Sequence, residues 1–225
     1  MMNHSGKQIA LVAYSQTEER LHVITHAAGL AISALIVWRC LMPAIAQRDP
    51  LRIVCAALYL FGTTIMFLTS ALYHGAKPSD RKRTLRLLDH CMIFFAVAGT
   101  ATACVPPVYE TAGRLPAVLM GVFAWLGALS GLFLTLLSFE KTKALQMALY
   151  IGTAGACALS GAKAFTILPR GAFCYFLGGS VTLLVGAVLY GVGKKVRYFH
   201  AVFHVLILIG LSIYYLGSQT YCFPD

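Results

Sequence analysis

The chain has 225 residues, 59% of them hydrophobic and only 12% charged, with a mean hydropathy of +0.75. A water-soluble domain of this size needs a polar surface that such a composition cannot supply. The formal charge is +10, but the basic residues lie in short clusters between apolar runs, a membrane-loop pattern that leaves no basic domain to hold nucleic acid.

A helix needs roughly 20 apolar residues to cross about 30 Å of hydrocarbon. Seven stretches qualify: Val23–Ala46, Ile53–Gly75, Leu87–Val105, Leu115–Phe139, Ala144–Leu168, Ala172–Val192 and Phe199–Gly217. The first follows acidic Glu18 and Glu19 and is too long for a signal-peptide core, so no cleavable leader is expected. Gln47-Arg48-Asp49-Pro50 closes the first span, and the basic run from Lys77 to Arg83 separates the second from the third. Pro106-Pro107 is expected to end the third, because proline lacks a donor and clashes with the preceding turn. Phe139 to Lys143, Leu168 to Gly171, and Gly193 to Arg197 mark the remaining breaks. The expected fold is an all-α integral membrane protein, a bundle of seven transmembrane helices. Residues 1–22 read as a cytoplasmic N-terminal segment, 23–220 as one membrane domain and 221–225 as a short outer tail.

Glycines within the spans, such as Gly127 with Gly131 and Gly179 with Gly186, predict close approach of helices inside one chain. The seven cysteines form no CxxC pair, and most lie in apolar runs where cysteine acts as a small hydrophobe. No internal repeat of the transporter kind is visible.

With the N-terminus inside, twelve of the 18 basic residues face inward, Lys7 and Lys194 among them, and six face outward. That bias predicts an N-terminus inside and a C-terminus outside. The same topology brings six of the seven histidines to one layer near the inner face: His22, His26, His74, His90, His200 and His204. The histidines played no part in assigning it.

Ser70-x3-His74, Asp89 and His200-x3-His204 are the polar residues of that layer with chemical spacing. Residues four apart share a helix face. Two imidazoles from one helix and a third from another can fill three positions of a tetrahedral zinc site, leaving one for water. Polar groups within a membrane are costly, and a cluster of them is a functional hypothesis by default. Blander readings exist for each residue alone: an interfacial histidine, Asp89 paired with Arg86 or Arg83, or Ser70 bonded back to its own helix. The pair His22 and His26 has the same spacing and offers an alternative site.

Glu18-Glu19-Arg20-Leu21-His22-Val23-Ile24-Thr25-His26, Ser70-Ala71-Leu72-Tyr73-His74, Leu88-Asp89-His90 and His200-Ala201-Val202-Phe203-His204 stand in an order that resembles the hemolysin III group. That group belongs to the progestin and adiponectin receptor (PAQR) family, itself similar to alkaline ceramidases. The resemblance spans all seven helices. It implies zinc ligation by His74, His200 and His204, with Asp89 holding the zinc-bound water and Ser70 donating from behind. Thr25 and His26 are implied to support the ligands. Bacterial relatives commonly carry Asn where His22 stands, so His22 reads as a spare imidazole beside the site.

Zinc with three neutral imidazoles lowers the pKa of bound water to about 7. Asp89 is then placed to take a proton and Ser70 to support a developing oxyanion. The expected function is zinc-dependent hydrolysis of a lipid amide or ester in a bacterial inner membrane, with membrane lipids as partners. Ceramide-like substrates are implied by the resemblance alone. The other implied reading is a receptor-like, homeostatic or cytolytic protein with structural zinc. A retinal receptor is disfavoured because the seventh span has no lysine, and an ion pump because no charge falls near mid-membrane.

Overall fold

The computed structural model describes residues 9–139, 141–192 and 196–224. Lys7, Glu140, Gly193, Lys194, Lys195 and Asp225, which enter the charge, loop and tail readings above, lie outside the described residues. Helix accounts for all the regular structure among the described residues. The elements are α1 (Gln16–Ile36), a π-helical turn (Val37–Leu41), α2 (Met42–Ala46), α3 (Pro50–Gly75), α4 (Asp80–Ala103), α5 (Val105–Ala112), α6 (Arg114–Ser138), α7 (Lys143–Ile167), α8 (Arg170–Val192) and α9 (Phe199–Tyr221). Counting α1 with α2 and α4 with α5 as continuous, seven stretches among the described residues are long and apolar enough to cross a membrane. The protein is an all-α integral membrane protein.

Two helix boundaries differ from expectation. The first span starts at Gln16, about two turns before Val23, because Ser15 and Glu18 form a reciprocal capping box. That start places His22 inside the helix and fixes the direction in which it points. Helix α4 ends at Ala103, close to the expected Val105, but the span is carried on past Pro106-Pro107. The chain breaks only at Cys104 and a new helix, α5, opens with both prolines in its first turn. Their missing N–H groups lie where no intrahelical acceptor is available, so they start a helix as readily as they end one. Pro43 is handled differently, the π turn at Val37–Leu41 lying just ahead of it.

α4 is the central helix, packed against α3, α6 and α7. Two-thirds (67%) of its apolar window is buried, against at most 39% for any other span. The closest backbone approach is between α3 and α4. A Cβ on Gly62 would sit 2.2 Å from the Phe95 carbonyl oxygen, and one on Gly99 would sit 2.9 Å from that of Leu58. Gly127 faces Thr153, Gly131 faces Phe94 and Gly179 faces Tyr214, all contacts within the chain. Gly62→Ala is expected to destabilise the protein by about 1–3 kcal/mol, because a backbone carbonyl cannot rotate away as a side chain can. Thermal unfolding in detergent checks this, and an unchanged midpoint would contradict the contact.

Among the described residues, the first (Ile9) and the last (Pro224) lie at opposite ends of the bundle. Arg52 at the start of α3 binds Asp49 at 2.6 Å and Glu110 at 2.6 Å, and donates to the Cys222 carbonyl at 3.2 Å. Gln47 donates to the Pro224 carbonyl at 3.0 Å. The Arg52 backbone N–H is the main cause holding the Asp49 carboxyl below its usual range, so this clasp stays charged. The opposite end gathers Ile9–Ser15, the α3–α4 turn and the start of α9, and it holds the candidate site.

Candidate metal centre

Three helices deliver the histidines because their ends are tied together. Glu18 is buried and its carboxylate accepts from Ser15 N (3.0 Å), Ser15 Oγ (2.7 Å) and Tyr198 N (3.0 Å). That last bond joins the start of α1 to the start of α9, 180 residues away. It also offsets the cost of the left-handed backbone at Tyr198 (φ 65°). From these fixed starts, helical spacing carries His22 and His26 down α1, and His200 and His204 down α9. His74 comes from the last turn of α3.

The result is a close group of four imidazoles. Every pair among His22, His74, His200 and His204 has ring centroids between 4.3 and 5.3 Å apart. His22 is 0% exposed, His204 1% and His74 2%. His26 stacks on His204 with centroids 3.8 Å apart, placing it behind the group. Ring nitrogens of His22, His74 and His200 lie within 4.8 Å of one another, so this trio could hold a metal ion. His204 joins through His200, with Nε2 to Nε2 at 3.0 Å. His22 therefore lies within the cluster, its ring against those of His74, His200 and His204.

The electrostatics orient His74 in particular. Its Nδ1–H donates to Glu19 Oε2 at 2.6 Å. Glu19 in turn receives Lys82 Nζ on its other oxygen at 2.6 Å, and Lys82 also donates to the Ala76 carbonyl at 2.9 Å. A carboxylate on one ring nitrogen fixes the tautomer and leaves the other nitrogen basic, the usual support for a metal-ligating histidine. That other nitrogen, Nε2, faces His200 Nε2 at 3.4 Å. Nitrogens at about 2.0–2.1 Å from a tetrahedral zinc are roughly 3.3 Å apart, so 3.4 and 3.0 Å suit zinc ligation. His22 Nε2, His200 Nδ1 and His204 Nδ1 are buried with no hydrogen-bond partner among the described residues. An all-imidazole donor set suits a divalent metal ion.

Tyr14 covers the group from the N-terminal side. Its ring stacks on His200 (centroids 5.0 Å, planes 15° apart) and meets His22 edge-on at 4.9 Å. Burial lifts its phenol well above the ordinary range, so it stays a neutral hydroxyl. The strap carrying it is held by Arg83, which donates to the Ile9 carbonyl at 3.1 Å, and by Arg86, which donates to the Ala10 carbonyl.

Asp89 and Ser70 are not part of the histidine group that could hold a metal. Asp89 is buried on α4 with the Ser70 hydroxyl as a polar neighbour. Ser70 Oγ is buried one turn before His74 and has no partner within ordinary hydrogen-bond distance. The Thr25 hydroxyl donates to the Leu21 and His22 carbonyls, so it bonds to its own helix. His90 is occupied elsewhere, with Nδ1 3.0 Å from the Arg86 carbonyl and Nε2 3.3 Å from the Tyr190 hydroxyl. Sequence reasoning missed Tyr14 and Lys82, and gave Glu19 no role. The Ser15-x2-Glu18 spacing was the readable signal, since it starts α1 early enough to aim Glu19 and His22 together.

Seven apolar helices closing over a buried imidazole cluster at one end define a polytopic membrane protein with a candidate metal centre. A family model described as haemolysin-III related matches residues 14–215, and the chain belongs to that family. It is similar to a "Hemolysin-3 homolog" of Bacillus subtilis (strain 168), 23% identical over 206 residues that cover 91% of this chain and 94% of that protein. It is likewise 23% identical to "Hemolysin-3" of Bacillus cereus over 209 residues, covering 92% and 93%.

Proposed function

We propose that the protein is a zinc-dependent hydrolase of a lipid amide or ester, with the metal held by His74, His200 and His204. The observation that carries this is the run of Nε2 atoms from His74 to His200 (3.4 Å) and on to His204 (3.0 Å), with the far nitrogen of His74 taken by Glu19. His22 approaches from the opposite side, its Nδ1 3.1 Å from His74 Nδ1, where Glu19 already binds. It packs the site and lends no donor to the Nε2 side.

Zinc in this position supplies Lewis acidity and a water that is nucleophilic near neutral pH. Glu19 and Lys82 hold His74 in its tautomer. Asp89 takes the proton of the attacking water and passes it to the leaving amine or alcohol. The Ser70 hydroxyl, lacking any other partner, donates to the oxygen that gains charge on the carbonyl. A site at the end of the bundle, below a wet surface and beside lipid, suits a substrate with a polar head and apolar tails. The test is turnover of a long-chain ceramide and a matched ester by purified protein, before chelation, after it and after zinc is returned. No product from either substrate with zinc bound sinks the hydrolase reading.

A second reading has its own observation. The cluster joins α1, α3 and α9, and Tyr14 stacks across it. Zinc in that arrangement clamps helices, which suits a receptor-like, homeostatic or cytolytic protein without turnover.

The bacterial relatives and the apolar helices support residence in a bacterial inner membrane. The charge bias supports the histidine end facing the cytoplasm. A reporter fused after Asp225 is expected to be active only as a periplasmic reporter. Cytoplasmic activity would reverse the assigned orientation.

A further inference from the structure

The run from Lys77 to Arg86 carries five basic residues, and they do not share one fate. Lys82 is spent on Glu19 and the Ala76 carbonyl. Arg83 is spent on Asp80 and the Ile9 carbonyl, and Arg86 donates to the Ala10 carbonyl. Lys77 and Arg81 are exposed and have no carboxylate partner among the described residues. Both line one cleft of about 430 Å³ at the α3–α4 turn.

The walls of that cleft indicate what fills it. Leu72 and Leu85 form its apolar part, and Leu72 is 45% exposed. Ser79 also lines it, its hydroxyl donating to the Lys77 carbonyl and capping the Lys82 N–H. Two cations above an apolar floor, at the end of two membrane-spanning helices, match a molecule with an anionic head and hydrocarbon tails. Basic clusters at such depths attract anionic lipid by about 1 kcal/mol per cation. A soluble anion would leave the leucines uncovered.

We propose that this cleft is a binding site for the phosphate headgroup of an anionic phospholipid, held by Lys77 and Arg81. The site is separate from the imidazole cluster and independent of whether that cluster turns over lipid.

The experiment reconstitutes the full-length protein in dioleoylphosphatidylcholine vesicles with spin-labelled phosphatidylglycerol or phosphatidylcholine as probe. Wild type is expected to prefer the anionic probe roughly tenfold, and K77Q/R81Q to lose most of that preference. K77Q and R81Q singly each lower it about threefold, and both should fold, since neither side chain has a partner to lose. The control R114Q/K163Q removes the same charge from exposed positions elsewhere and is expected to keep the preference. An unchanged K77Q/R81Q, or an equal loss in the control, overturns the proposal. So does displacement of the probe by millimolar inorganic phosphate, which would make the cleft a site for a free anion.

Discussion

His204→Ala is expected to cut bound zinc from about one ion per chain to a small fraction, with the helical content intact. His200→Ala should do the same, because its Nε2 lies between those of His74 (3.4 Å) and His204 (3.0 Å). His22→Ala separates the two ligand sets that the geometry allows. If the metal sits on the Nε2 side of His74, losing His22 leaves most of the zinc bound. If the compact trio His22, His74 and His200 is the true set, His22→Ala empties the site and His204→Ala does not. Glu19→Gln keeps a hydrogen-bond acceptor but not the charge, and is expected to weaken zinc by about 10–100-fold. Elemental analysis of purified protein reads all four variants. Wild type without zinc after growth and purification in its presence would refute the assignment. Chelation offers a second readout. Removing zinc present at about 100 times its dissociation constant lowers apparent stability by about 2.7 kcal/mol, seen as a lower unfolding temperature.

Asp89→Asn is expected to lower lipid turnover by about 10²–10⁴ while zinc stays bound, the usual worth of a general base. Asn has the same shape and can still hydrogen-bond, so the fold and the imidazoles should not move. What it cannot do is take a proton. Asp89 lies beside Ser70 across the α3–α4 contact, and the proposed reaction has it exchange a proton with the attacking water. Only a reaction, and not a helix clamp, depends on that transfer. Asp89→Asn with wild-type product formation and full zinc would favour the structural reading, in which Asp89 only fills space and bonds.

The seven crossings were legible because each needs a long apolar run, and such runs survive in the one-dimensional order of residues. The layer of histidines was legible for a related reason: once the crossings alternate in direction, residues at the same kind of helix end must share a depth. The six histidines of that layer could be grouped from that alone, whereas the choice of His74, His200 and His204 among them came from the four-residue spacing and the family resemblance. Helix starts were harder. The capping box at Ser15 and Glu18 shifted the first helix about two turns earlier, and the prolines at 106 and 107 opened a helix where a stop was expected. Both depend on local hydrogen bonding that apolar periodicity does not record.

By itself the sequence determined that this is a seven-helix membrane protein with imidazoles at one end, because burial of apolar length and helical spacing are properties of order alone. Only the tertiary structure decided which imidazoles meet. His22 entered the cluster because Glu18 ties Tyr198 to the start of α1, a contact 180 residues apart that no local pattern encodes. It also decided how the charges are used: Glu19 and Lys82 orient His74, Arg83 and Arg86 hold the N-terminal strap, and Lys77 and Arg81 remain facing the cleft. A charge's partner depends on a few ångströms of position, and those are fixed by packing between helices.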